Sequence, residues 1–324
     1  MTNSFTASDS TPEILHVDQN ALGGHGAHWQ LLTAQPDSDV PAWLQDALSD
    51  SHLPYGLNTD SDTLPQDIWL INGTTQTIQI SQLIEVNEQQ QPVHLISAFP
   101  VISSPYIVHG RISRIICCRD AMQAVLNITT TDGTTIYAFD NLYAVNQHQY
   151  NKDQIYHIEL GGFAYNLQKV SAGETIVVDD PAAIKHHRAL NEILANNGGI
   201  APDDLQDQIS NWQAKCDDDK APVTLDLSTM VAYLYGEHIG QEDEAWFQGE
   251  ILGLSHTTFM QQDIQLIDVS IMREDGLQPV VIRLAYSTIS AQENNNSATN
   301  FKVGDYIRGN IWLQANIYAT NSEE

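Results

Sequence analysis

Four short sequence blocks occur twice in this chain in the same order, and each copy must bury its own strand faces. Around residues 78 to 165 the blocks read IQISQLI, YIVHGRISRI, AVLNITTTDGTTIYAF and NKDQIYHIELGGFAY. Around residues 225 to 318 they read LDLSTMV, AWFQGEILGL, IQLIDVSIMREDGLQPVVIRL and FKVGDYIRGNIWLQANIY. The second block of each copy has a glycine inside a strand pattern, Gly110 and Gly249, where a missing side chain marks a bulge or sharp bend. The third block turns at Asp132-Gly133 and Asp275-Gly276 between alternating apolar positions, Leu126, Ile128 and Ile136 in one copy and Val269, Ile271 and Ile282 in the other. The fourth begins at a turn, explicit in the second copy as Val303-Gly304-Asp305.

Five or so curled strands per copy, with a connecting segment between the third and fourth, resemble the OB-fold pattern of a small Greek-key barrel. The first connection, Asn141 to Gln149, suits a short helix with Leu142 and Val145 inward; the second, Ser290 to Asn300, is a polar loop. Between the copies, Asp179 or Asp180 can cap a helix that opens at Pro181, turns Ile184, His187, Leu190 and Leu194 to one face and ends at Gly198-Gly199. A second helix after Pro202 would align Leu205, Ile209, Trp212 and Cys216. Before residue 70 the chain is loop-like apart from a helix over Pro41 to Leu48, and its first dozen residues are expected to be disordered. The expected fold class is mainly β with a helical insert (α+β), two tandem OB-like barrels joined by a helical hairpin. Its expected parts are an irregular segment over 1–70, a barrel over 71–178, the hairpin over 179–221 and a second barrel over 222–324.

Charge narrows the partners. The net charge of −28 comes from 41 acidic and 13 basic residues, yet charged residues are only 17 % of the chain, so bases are scarce more than acids are abundant. The first 110 residues contain twelve Asp and Glu and no Lys or Arg. Such a segment cannot neutralise phosphates, which argues against nucleic acid as a partner. Arg111, Arg114 and Arg119, near Tyr137, Phe139, Tyr156, Phe163 and Tyr165, are the one local arrangement that suits a nucleic-acid groove, and strand alternation sends some of these rings inward. From Asp203 to Glu250 twelve carboxylates face Lys215 and Lys220 alone. The candidate partner-binding residues are Asp203, Asp204, Asp207, Asp217, Asp218, Asp219, Glu242, Asp243 and Glu244, with Trp212 as an anchor for a protein partner whose favoured charge is positive.

Other chemistry is sparse. His25 and His28 have a spacing that can place two imidazoles on one metal ion, with His16 or Asp18 as a third ligand. Gly24-His25-Gly26 fails as a dinucleotide fingerprint because Trp29 stands where the third glycine belongs. Asn58-x-Asp60-x-Asp62 fails as a calcium loop at Thr63 and Trp69. His186, His187, His109 and His157 read as interface or strand residues, and Cys117, Cys118 and Cys216 as reduced thiols. No cofactor is implied. No stretch of 18 apolar residues and no basic, apolar leader occurs, so a soluble, cytoplasmic protein without a membrane partner is expected. The leading expectation is an adaptor or regulatory subunit that binds a protein. The alternatives are a DNA-mimic inhibitor and a metal- or small-ligand-binding protein or enzyme using His25 and His28.

Overall fold

The computed structural model describes residues 10–17, 25–53, 65–73, 77–118, 122–202, 204–235, 244–273, 278–287 and 300–319, and strands dominate them. In chain order the strands are β1 (Glu13–His16), β2 (Ser51–His52), β3 (Ile68–Gly73), β4 (Ile78–Val86), β5 (Pro92–Ile102), β6 (Ile107–Cys117), β7 (Ala124–Thr130), β8 (Thr135–Asp140) and β9 (Tyr156–Lys169), followed by β10 (Thr175–Val178), β11 (Val223–Asp226), β12 (Ala232–Tyr235), β13 (Glu244–Phe259), β14 (Gln262–Met272), β15 (Val280–Ser287) and β16 (Tyr306–Ala319). The α-helices are α1 (Pro36–Ser49), α2 (Tyr143–Asn146), α3 (Pro181–Asn196) and α4 (Leu205–Asn211). The chain is mainly β with few helices. Contacts divide it into two units, Met1–Lys169 with Val231–Glu324, and Val170–Met230.

In the larger unit ten strands pair in the order β1-β6-β7-β8-β16-β9-β15-β14-β13-β12, with further pairings β6–β9 and β16–β13. Those two extra pairings make the ladder re-enter twice. One cycle runs β6-β7-β8-β16-β9 and back to β6, the other β13-β14-β15-β9-β16 and back to β13. Both cycles use β9 and β16. In each, the third strand meets the borrowed strand in parallel, β8 beside β16 and β15 beside β9. The second, third and fourth sequence blocks therefore occupy equivalent places. The first does not: IQISQLI lies in β4 of a separate sheet, β2-β3-β4-β5, whereas LDLSTMV begins in β11 of the other unit.

The strand glycines allow a close approach. A Cβ on Gly249 would sit 1.9 Å from the Ser270 carbonyl oxygen, and one on Gly110 would sit 2.9 Å from that of Thr129. The register slips just beyond each, between Ile112 and Arg114 and between Ile251 and Gly253, so the expected bulges are present. The Asp132-Gly133 turn joins β7 to β8, with Gly133 at φ 91° and Asp132 accepting from the Thr130 hydroxyl and the Thr134 amide. Asp275-Gly276, the first nine residues and all but Asn300 of the expected 290–300 loop lie outside the described residues.

From Ile311 to Ile317, strand β16 is buried on both faces. Ile307, Ile311, Leu313, Ala315 and Ile317 enter one core with Leu126, Ile128, Ile136, Val269, Ile271 and Ile282. Trp312, fully buried, faces a second core built by Trp29, Leu32, Trp43, Ala47, Ile78, Ile80, Phe99 and Val101 from the N-terminal part of the chain. The segment that composition marks as loop-like thus supplies two tryptophans to a core. Gln314 does the work of a neighbouring strand there: its Oε1 accepts from the Ile102 amide at 3.2 Å and its Nε2 donates to the Pro100 carbonyl at 2.7 Å.

Two helices differ from expectation. Helix α1 opens at Pro36, so Pro41 lies inside it, and the proline at the first position is the one whose missing N–H costs nothing. Helix α4 stops at Asn211 because Trp212 is extended (ψ 140°), which leaves Cys216 exposed and off the apolar face. Helix α2 does bury Leu142 and Val145 as expected.

Truncating Trp312 to alanine should lower unfolding free energy by about 3–5 kcal/mol, the usual cost of removing a buried aromatic. Gln314→Leu, which leaves the Ile102 amide and Pro100 carbonyl buried without partners, should cost about 1–3 kcal/mol. Urea denaturation followed by tryptophan fluorescence measures both.

Candidate functional site

The acidic candidates fall mostly in the unit Val170–Met230. Asp180 caps α3, its carboxylate accepting from the Ala183 amide at 2.7 Å, and Gly199 closes the helix by donating to the Leu194 carbonyl at 2.8 Å. Helices α3 and α4 meet through Ala189, Ile193 and Ile209, with Leu190, Leu205 and Trp212 packed against them. Trp212 is half-buried and its indole N–H donates to Glu192 at 3.0 Å; the same carboxylate holds the Lys215 ammonium. Its ring is part of this small core. Asp204, Asp207, Asp217 and Asp218 are exposed. Asp219 accepts from the Lys215 and Cys216 amides at 2.7 and 3.2 Å, and these N–H groups hold its carboxyl below the usual range. Glu244 belongs to the larger unit, at the start of β13. Asp203, Glu242 and Asp243 lie outside the described residues.

Of the histidine pair, His28 is buried, its ring stacked on Trp312 at 4.1 Å and 7°. His25 opens a 3-10 helix, His25–Leu31, and its side chain, like Asp18, lies outside the described residues. His16 is exposed on β1, with Nδ1 3.8 Å from the Cys117 sulfur. Among the described residues no group of three or more His, Cys, Asp and Glu is placed to hold a metal ion. His109 and His157 are cross-strand neighbours with rings edge to face at 4.5 Å, and His187 bonds Asn191 at 3.0 Å. Arg114 is paired with Glu13 at 2.8 Å, Phe139, Tyr156 and Phe163 are in the core, and Arg119 and Asn58 to Asp62 lie outside the described residues. The three cysteines are unpaired, and burial pushes the Cys117 thiol up. No helix among the described residues is long and apolar enough to cross a membrane.

Sequence reasoning missed two features. One is an apolar groove between α1 and β5, in a region whose exposed aliphatic residues have no periodicity to betray them. The other is Asp140, buried at the end of β8. Its Oδ1 accepts from the Leu142 amide at 2.9 Å and its Oδ2 from the Tyr150 hydroxyl, so the carboxyl fixes the entry to α2. No ion pair of a Lys or Arg with Asp140 is found among the described residues, and desolvation outweighs both hydrogen bonds and lifts the carboxyl to about 7. A single aspartate after a strand carries no sequence signal for this.

No family model, no curated protein and no solved structure matches the chain.

Because its folded pKa is raised above the unfolded value, Asp140 contributes most to stability when protonated, below about pH 4, and that contribution is lost as pH rises through about 7. The Asp140→Asn variant should therefore gain stability relative to the parent chain as pH rises from 4 to 8. Paired urea unfolding curves at pH 4, 6 and 8 measure this, and a pH-independent difference would show that the carboxyl stays ionised.

Proposed function

We propose that this protein is an acidic protein-interaction module, an adaptor or regulatory subunit in the cytoplasm whose partner carries an excess of positive charge. The observation that carries the reading is the charge of Val170–Met230, where eleven carboxylates stand against Lys185, Arg188, Lys215 and Lys220. Three of those cations are engaged within the unit, Lys185 with the Ser210 carbonyl, Lys215 with Glu192 and Lys220 with Asp217, while Asp204, Asp207, Asp217 and Asp218 face solvent. A field of one sign over so small a unit steers oppositely charged surfaces and raises their association rate. The tandem OB-like reading belongs to the same proposal. It is supported by the two re-entrant strand cycles, each a three-stranded meander closed by β9 and β16, with the short helix α2 before β9 in the first.

The test compares the parent chain with a variant carrying Asp204→Asn, Asp207→Asn, Asp217→Asn and Asp218→Asn. Both are tagged and used to capture proteins from host lysate at low salt and at about 0.5 M, where the Debye length falls to about 4 Å. We expect a basic partner on the parent chain that salt releases and the variant fails to hold. Equal capture by both chains, or a partner retained at high salt, overturns the electrostatic reading.

A further inference from the structure

We propose that the groove between α1 and the edge strand β5 seats a segment of a partner protein in which apolar side chains are flanked by lysine or arginine. This rests on the reading of the chain as a module for a basic partner and supplies the chemistry that partner must present. The groove encloses about 340 Å³, with Leu44 and Leu48 of α1 on one side, Ile84 of β4 at its base and Val93 and Leu95 of β5 on the other. Its walls are preformed. Ala47 of α1 lies directly on Gly73 of β3, Trp43 packs edge to face on Phe259, and Gln82 of β4 donates to the Leu44 carbonyl at 3.2 Å.

Beside the polar Gln45 and His94, this face exposes aliphatic side chains where solvent favours polar groups. Leu48 is 48 % exposed, Val93 62 %, Leu95 41 % and Ile96 39 %. Edge strands are normally protected by charge or by bulges that turn the edge away. Strand β5 has two register slips against β4, where pairing passes from Val86–Pro92 to Glu85–His94 and from Ile84–Leu95 to Leu83–Ser97. The extra residues are Val93 and Ile96, so the bulges present aliphatic side chains at the edge. Exposed apolar groups gathered in this way mark a contact site more often than chance.

No lining side chain carries a fixed charge, so the charge of the elements that form the groove selects the occupant. Asp46 and Asp50 on or just after α1, Glu85 on β4 and Glu88 in the turn to β5 are exposed, and residues 1–110 contain no Lys or Arg. An occupant with acidic flanks meets repulsion with no compensating cation from this region, and a second copy of the chain would bring the same acids to the contact. Basic flanks are complementary.

Random dodecapeptides displayed on phage, selected on the full chain, provide the probe. We expect enrichment of aliphatic or aromatic pairs flanked by Lys or Arg. A synthetic copy of a selected peptide should bind about tenfold or more weakly to a Val93→Asp, Leu95→Asp variant, a loss typical of removing a contact's central anchors. It should also bind a few-fold more weakly to a Glu85→Gln, Glu88→Gln variant. Both pairs of positions are on the surface, and matching urea unfolding curves confirm that each variant is folded. Enrichment of acidic or unflanked peptides, no enrichment, or affinity indifferent to the Val93→Asp, Leu95→Asp change overturns the proposal, as does a dimer of the parent chain that this variant dissolves. Salt-sensitive capture by the carboxylates of α4 and the following turn, with no peptide binding in the groove, would refute the groove alone. If the parent chain captures no salt-releasable basic partner while peptide binding is intact, only the electrostatic reading is refuted.

Discussion

The long antiparallel pairing of β9 with β16 is the interaction on which the larger unit depends. It runs from Ile307 opposite Lys169 to Ala319 opposite Tyr156 and slips once, between Arg308 and Asn310. Every strand cycle in the unit passes through it. Along Leu160–Ala164 and Ile311–Ile317 every residue is buried, and all but Gln314 and Asn316 are apolar or small, so these two must find fixed partners. Gln314 finds Ile102 and Pro100, and Asn316 receives a hydrogen bond from Asn141. Polar groups in this buried stretch need such partners, since an unpaired buried amide costs more than a packed methyl group contributes.

Much of this was legible in the residues, and the boundary of what was legible has a physical cause. Local signals held where the chain decides locally: Asp180 and Gly199 bound α3, Gly133 turns a hairpin, Gly110 and Gly249 precede bulges, and alternation placed Leu126, Ile128, Val269 and Ile282 inside. The exchange of β9 and β16 between cycles is not a local property. Each strand's own sequence only asks for two buried faces, and nothing in the repeat says which copy supplies the second. IQISQLI reads like a barrel strand for the same reason, although it pairs within a separate four-stranded sheet.

The candidate site was legible only as charge. Counting carboxylates locates a field, and the exposure of Asp204, Asp207, Asp217 and Asp218 agrees with it. Counting cannot separate a carboxylate that faces solvent from one that ties down backbone, and Asp219, bonded to two amides, is of the second kind. Trp212 shows the same limit for anchors, since an indole beside acids on a helix serves equally well as the lid of a small core. The His28 ring illustrates it once more: spacing suggested a ligand, and stacking on Trp312 gives the imidazole a packing duty.

The sharing of β9 and β16 also sets an order of events at synthesis. When β6 to β9 have emerged, the parallel place beside β8 has no occupant, because the strand that fills it comes from β16 at the far end of the repeat. Contacts of such sequence separation form slowly. Until then β8 and β9 each present an open edge, the situation in which a nascent chain pairs with the wrong strand or with another molecule. The architecture thus ties the solubility of the first half to the arrival of the second, and makes the interval between them the time at which a chaperone matters most.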